Sequence, residues 1–434
     1  MEIWWVSERG YKACGFRQQG NIQIIKRNKV SHMKQRITEI RLRIQNNKGN
    51  LYDRINELLF YIIFMGFATY VPLATYNLIF MEDAEYYFYR LDKIYWGYNV
   101  LMVLLLVKIL LQKNSFKEWC VIGILTVISR LSFEQSGEHY MVLILLGICA
   151  ARNICMERLI WVDLLIRVGR IAGLMILPHI SGMINHVDVM VGGRERTFFG
   201  WSHPNSMGLD FMLLILDWVL IRKKKMKWYE YLVAFGMIVF LDVTANSRTS
   251  EMIIVLLLIF AVFAWSRNKW STYFVNTALW ILLGCATLIP VVGVVLCRAA
   301  GSVKTFELFG TVGSRFIMTS DFIEKHGITL FGVPYLKSEE GLDFMFANLG
   351  LHCGILAGIM IALLIAYAIY RSQRENDQMI KIVLFVLLLF ACMENAGLNL
   401  TFTYFAVILG YYIFIPEERE EMIGDKNINE NQTA

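Results

Sequence analysis

The chain has 434 residues, of which 56% are hydrophobic and 18% charged, with a formal net charge of +6 and a mean hydropathy of +0.49. A soluble domain of this length carries more charge, and the basic residues here cluster between apolar runs, so the composition points away from a soluble enzyme and from nucleic-acid binding. Apolar runs recur from about residue 58 to residue 415, each near the ~20 residues that cross a bilayer, and these predict an all-α, polytopic membrane helix bundle.

Residues 1–57 are polar and basic, with Lys26, Arg27, Lys29, Lys34, Arg36, Arg41, Arg43 and Lys48. They are expected to form a cytoplasmic tail, by the bias of basic residues toward the inner face. Met33, followed by Lys34-Gln35-Arg36, resembles an ordinary start, and a start there would leave residues 1–32 untranslated. The first apolar run begins near Leu58, too far in and too long for a signal peptide.

The predicted spans then follow in order: Leu58–Phe80, Tyr95–Leu111, Trp119–Phe133, Tyr140–Cys155, Leu159–Ile180, Met207–Ile221, Tyr229–Thr244, Glu251–Trp265, Phe274–Leu296, Phe346–Tyr370, Ile380–Met393 and Thr401–Ile415. That is about twelve, with a large outer loop over 298–345 before the last three. A polar tail over 416–434 ends the chain, so residues 58–415 make one transmembrane domain. Basic links (Lys113/Lys117, Arg152/Arg158, Arg222–Lys227, Arg267/Lys269, Arg371/Arg374) alternate with acidic or mixed ones. The alternation assigns the basic links and both termini to the cytoplasm.

Most of the cysteines (Cys120, Cys149, Cys285, Cys297, Cys353, Cys392) lie within or at the ends of apolar runs, where small core residues are expected and not a disulfide framework. No Cys/His spacing suits zinc, no outward loop holds an Asp-x-Asp pair, and neither a metal nor another cofactor is expected.

The outward links carry the unusual chemistry. Arg194 and Arg196 lie in the polar loop 182–205, Arg248 in the turn Ala245-Asn246-Ser247-Arg248-Thr249, and Arg298 and Arg315 in the long loop. Outward arginines run against the insertion bias, and the guanidinium fork suits phosphate, so this set points to an anionic ligand at the membrane surface; bonds to lipid headgroups or loop carbonyls are the alternative. His203 precedes Pro204 and belongs to a turn, and Asn205 is placed to cap the following helix, with amides aimed at the outer face. His203, His326 and Asp343 are candidate bases; Asp343, just before the next span, is more readily read as its helix cap. Asp321 and Glu324, three apart, share a helical face. Within the spans, Arg130, Arg167, Arg170 and Asp217 are costly in lipid and are expected to face the bundle interior, with snorkelling the alternative for Arg130.

The segments Gly200-Trp201-Ser202-His203-Pro204-Asn205-Ser206-Met207-Gly208 and Thr244-Ala245-Asn246-Ser247-Arg248-Thr249-Ser250, with Gly313-Ser314-Arg315 and the Asp343 segment, resemble signatures of the O-antigen polymerase/ligase superfamily in order, spacing and outward location. The resemblance extends over roughly residues 60–415. It implies a GT-C-like, Wzy-type polysaccharide polymerase of a bacterial cell membrane, working without metal or nucleotide sugar. Such enzymes move a growing glycan from undecaprenyl diphosphate to a lipid-linked repeat unit of capsule, exopolysaccharide or O-antigen. Carried over, Arg194 or Arg196, Arg248 and Arg315 would hold the diphosphate with Asn205 nearby, and His203, His326 or Asp343 would activate the acceptor hydroxyl. The implied partners are the undecaprenyl-diphosphate-linked oligosaccharide, membrane lipids, and a chain-length regulator and flippase of the same pathway, with no nucleic acid. A ligase attaching finished glycan to another acceptor fits the same motifs. A flippase or transporter of the lipid-linked unit is the rival from another class, for which paired halves and broken helices at mid-membrane are expected.

Overall fold

The computed structural model describes residues 52–69, 84–137, 140–181, 188–191, 194–197, 199, 201, 204–266, 268–334, 342–394 and 405–414. The tail over 1–57 is therefore described only from residue 52, and the tail over 416–434 lies outside the described residues. The chain divides into two units, Met1–Leu59 and Phe60–Ala434, and all packing below belongs to the second.

The described residues are nearly all helical. In chain order the helices are α1 over 52–69, α2 (Ala84–Leu111), α3 (Phe116–Ser136), α4 (Tyr140–Cys149), α5 (Met156–Ser181), α6 (Pro204–Arg222), α7 (Trp228–Val243) and α8 (Arg248–Trp265). There follow α9 (Lys269–Ala300), α10 (Ser302–Phe309), α11 (Thr311–His326), α12 (Met345–Leu351), α13 (Ile355–Arg374), α14 (Gln378–Met393) and α15 (Phe405–Tyr411). Each apolar run of the sequence contains a described helix. Four helices, Pro204–Lys225, Arg248–Trp265, Lys269–Ala300 and Ile355–Arg374, are long and apolar enough to cross a membrane. At 32 residues, α9 is roughly 48 Å long, well beyond the ~30 Å hydrocarbon core.

Local sequence explains several boundaries. Ser115 accepts from Glu118 N while Glu118 returns a bond to Ser115 N, a reciprocal cap that opens α3. Asp377 accepts from Ile380 N at 3.2 Å and opens α14. Pro204 occupies the first helical position of α6, where its missing N–H costs nothing. Asn205 therefore does not cap this helix, and its side chain is used elsewhere.

Three further expectations are corrected. The loop 182–205 contains a β pair, β1 (Asp188–Val191) antiparallel to β2 (Arg194–Thr197), with Val189 opposite Arg196. The stretch 298–345 is largely helical: α10 and α11 fold back against α9, with Phe316 of α11 buried beside Cys297, Phe344 and Ala347. The run Phe346–Tyr370 is not one span, because the chain breaks at His352–Gly354. There Val333 N donates to His352 O at 3.2 Å and Ile355 N to Thr329 O at 3.1 Å, so backbone pairs with backbone in place of helix. Gly354, at φ +98°, lies so close to Leu330 O that a Cβ would sit 2.4 Å from it.

The core is built from helix–helix packing, chiefly α9 on α14, α6 on α8 and α8 on α14, where Phe260 and Phe385 stack 3.7 Å apart. Inside it, α5 and α6 carry a buried ion network. Arg167 bonds Asp163 through Nε (2.8 Å) and Nη2, reaches Asp210 at 3.2 Å and lies 3.5 Å from Asp217. Arg170 pairs with Asp210 and donates to Ala68 O at 2.7 Å. Arg167, Arg170 and Asp217 thus face the interior as expected. Arg130 does not: its side chain is 63% exposed and pairs with Glu134 one turn on.

The basic links share one end of this packing. Lys223 after α6 meets Glu157 at the start of α5 at 2.5 Å. Arg222 meets Glu230 of α7 at 2.6 Å. Arg152 after α4 pairs with Glu118 of α3. Gln373 near the end of α13 donates to Asn276 O near the start of α9.

Candidate functional site

The far ends of the same helices bring together polar residues of the links expected to face outward. Arg315 sits in the second turn of α11, just after the glycine-flanked turn from α10. Its Nη1 donates to Met393 O at the end of α14, and its Nη2 lies 3.9 Å from Glu394 Oε1. Its Nε lies 3.0 Å from Asp343 Oδ2, an ion pair without hydrogen-bond alignment. The guanidinium, carried by α11, is thus approached from the segment entering α12 and from the end of α14.

Glu394 is the second centre. It is 8% exposed and accepts from Asn205 Nδ2 at 3.4 Å and from the Thr249 hydroxyl. Burial pushes its carboxyl above the usual range, against the pull of Thr249, Arg315 and Arg196. Sequence reasoning missed Glu394; the signal was an acid directly after the apolar run Ile380–Met393.

Arg196 stands in β2, which is tied to the bundle where Thr197 N donates to Thr244 O at 3.1 Å. Phe199 stacks on Phe240 with centroids 6.1 Å apart, and Trp201 donates from Nε1 to Asp210 Oδ2 at 2.8 Å, joining the loop to the buried ion network. Held there, Arg196 acts electrostatically on both Glu251 and Glu394. Arg248, exposed at the first position of α8, acts on Glu251 from the other side. The preceding turn is shaped by Asn246 at φ +46°, a conformation asparagine tolerates.

The structure therefore brings Asn205 and Arg315 onto Glu394 and Asp343 onto Arg315, with Arg196 acting on Glu394 through its charge and Arg248 on Glu251. Asp343 does not cap a helix; α12 starts after Phe344, and Asp343 faces Arg315. His326 lies at the other end of α11, eleven residues and roughly 16 Å along the axis from Arg315, its ring tilted against Phe322 at 4.8 Å, which in turn meets His352 at 4.6 Å. Asp321 and Glu324 are exposed on α11, and Arg298 is exposed in the last turn of α9. His203 lies outside the described residues, as does the side chain of Arg194, whose backbone belongs to β2.

Among the described residues no His, Cys, Asp or Glu side chains are grouped as metal ligands, and Cys149, Cys297 and Cys353 are buried. Sequence reasoning also missed Asp163 and Asp210; the four-residue step from Asp163 to Arg167 and the seven-residue step from Asp210 to Asp217 were their signals. No family model, curated protein or solved structure matches the chain.

Proposed function

We propose that the protein is a Wzy-type polysaccharide polymerase, a GT-C-like enzyme of about twelve spans in a bacterial cell membrane, with both termini cytoplasmic and its site at the outer face. The observation that carries this reading is the convergence on Glu394 of Arg315, Asn205 and Arg196, at the end of the bundle opposite the basic links. Permanent cations held by carboxylates and a backbone carbonyl are preorganised for a polyvalent anion such as the diphosphate of undecaprenyl diphosphate.

In this reaction an acceptor hydroxyl of a lipid-linked repeat unit attacks the anomeric carbon of the growing glycan. The carbon–oxygen bond to the diphosphate breaks, the hydroxyl proton passes to a carboxylate, and the lipid diphosphate leaves with its new charge on Arg315 and Arg196. Asp343, half-exposed beside Arg315, is the base that fits this geometry; His326 stands too far along α11.

A second reading, a transporter of the same lipid-linked unit, draws support from the buried Arg167/Arg170/Asp163/Asp210/Asp217 network, since charged groups deep in spans often mark a translocation path. Purified protein incubated with lipid-linked repeat units, with chelator and without nucleotide sugar, separates these. A ladder of polymer supports the polymerase. Transfer to an added acceptor without a ladder means a ligase, and movement of the lipid across vesicles without either means the transporter.

A further inference from the structure

The two carboxylates on Arg315 differ in a way that charge counting does not explain. Glu394 has a side chain 11% exposed and is held by Asn205 and Thr249 as well as by Arg315. Asp343 has a side chain 45% exposed, and its contact with Arg315 Nε lacks hydrogen-bond alignment. A half-exposed pair of this kind contributes little, so parting it costs little. The backbone on either side is fixed: Leu342 and Phe344 are each 1% exposed, and the Phe344 ring stacks on Phe316 at 5.7 Å. The Asp343 side chain can therefore turn away while the chain stays in place. Arg315 meanwhile keeps its orientation, because Nη1 is bonded to Met393 O.

We propose, on the basis of the anion reading above, that Asp343 is an exchangeable counter-ion, displaced from Arg315 by the diphosphate that binds there. The resting pair keeps the guanidinium compensated and oriented. A diphosphate offers more charge and acceptors that match the fork, so it takes the Nε edge and leaves Glu394 in place. Arg315 thereby couples the two halves of the site: the arrival of the anion is what unpairs Asp343 beside it.

Inorganic pyrophosphate, titrated calorimetrically into full-length protein in detergent, tests this. Asp343→Asn, which keeps the shape and removes the competing charge, is expected to bind pyrophosphate about fivefold more tightly than the wild type, and Asp343→Ala to do the same. Arg315→Gln is expected to lose the binding. Wild-type binding that is unchanged or weakened in both Asp343 variants overturns the exchange and leaves the anion site standing. Absence of binding in the wild type, or binding unchanged in Arg315→Gln, overturns the exchange together with the anion reading.

Discussion

Asn205, one residue into α6, donates from Nδ2 to Glu394 Oε1, one residue past α14, across 189 positions of sequence and 3.4 Å of space. The bond joins the start of one helix long and apolar enough to cross a membrane to the end of a neighbour, at the place where Arg315 also arrives. Pro204 opens α6 in the first helical position, and the Asn205 amide one residue on holds Glu394.

Glu394 gives the site a pH signature. Its carboxyl is pushed above the ordinary range by burial, so the folded state binds the proton more tightly than the unfolded chain does. Stability from this group is greatest below the unfolded value of about 4.3 and falls as pH rises from there through the folded value. Glu394→Gln removes that dependence. Thermal unfolding midpoints from pH 4 upward, measured for both proteins, are expected to shift steadily in favour of the variant; parallel curves would contradict this.

The ion network of α5 and α6 is expected to dominate the polar contribution to stability. Asp210→Ala leaves Arg170 and part of Arg167 buried without their partner and should cost about 3–5 kcal/mol. Arg130→Ala, which removes a pair exposed on both sides, should fall within about 0.5 kcal/mol of the wild type. Equilibrium unfolding of the two variants in detergent or bicelles compares them directly.

Gly208 sets how closely α6 approaches α8. A Cβ there would lie 2.3 Å from Ser247 Oγ and 2.6 Å from Ser247 Cβ. Gly208→Ala should destabilise by about 1–3 kcal/mol and displace the first turn of α8, which carries Arg248. A parallel loss of pyrophosphate affinity would show that the spacing serves the site as well as the core.

The legible parts of this protein were those where one local rule applied. Arg167, Arg170 and Asp217 stood out because ionised groups deep in apolar runs need partners, and Arg196, Arg248 and Arg315 because cations on the outward side break the insertion bias. Glu394 was illegible as a centre, because its meaning depends on Asn205 and Arg315 arriving from distant parts of the chain. The helices α10 and α11 were hidden by polarity, since packing against α9 makes them and not a continuous apolar run. The break at His352–Gly354 was hidden by the opposite circumstance: the run is apolar enough to read as one span despite Asn348 and His352, and pairing with the backbone of 329–333 interrupts it.

The most direct test of the account is the rate of polymer formation from lipid-linked repeat units by Arg315→Ala, with Arg130→Ala as the folded control. If Arg315 stabilises the departing diphosphate, turnover at saturating substrate falls by about 10²–10³ while Arg130→Ala retains the wild-type rate. A ladder formed by Arg315→Ala at the wild-type rate would contradict the assignment of this cluster as the site of glycan transfer.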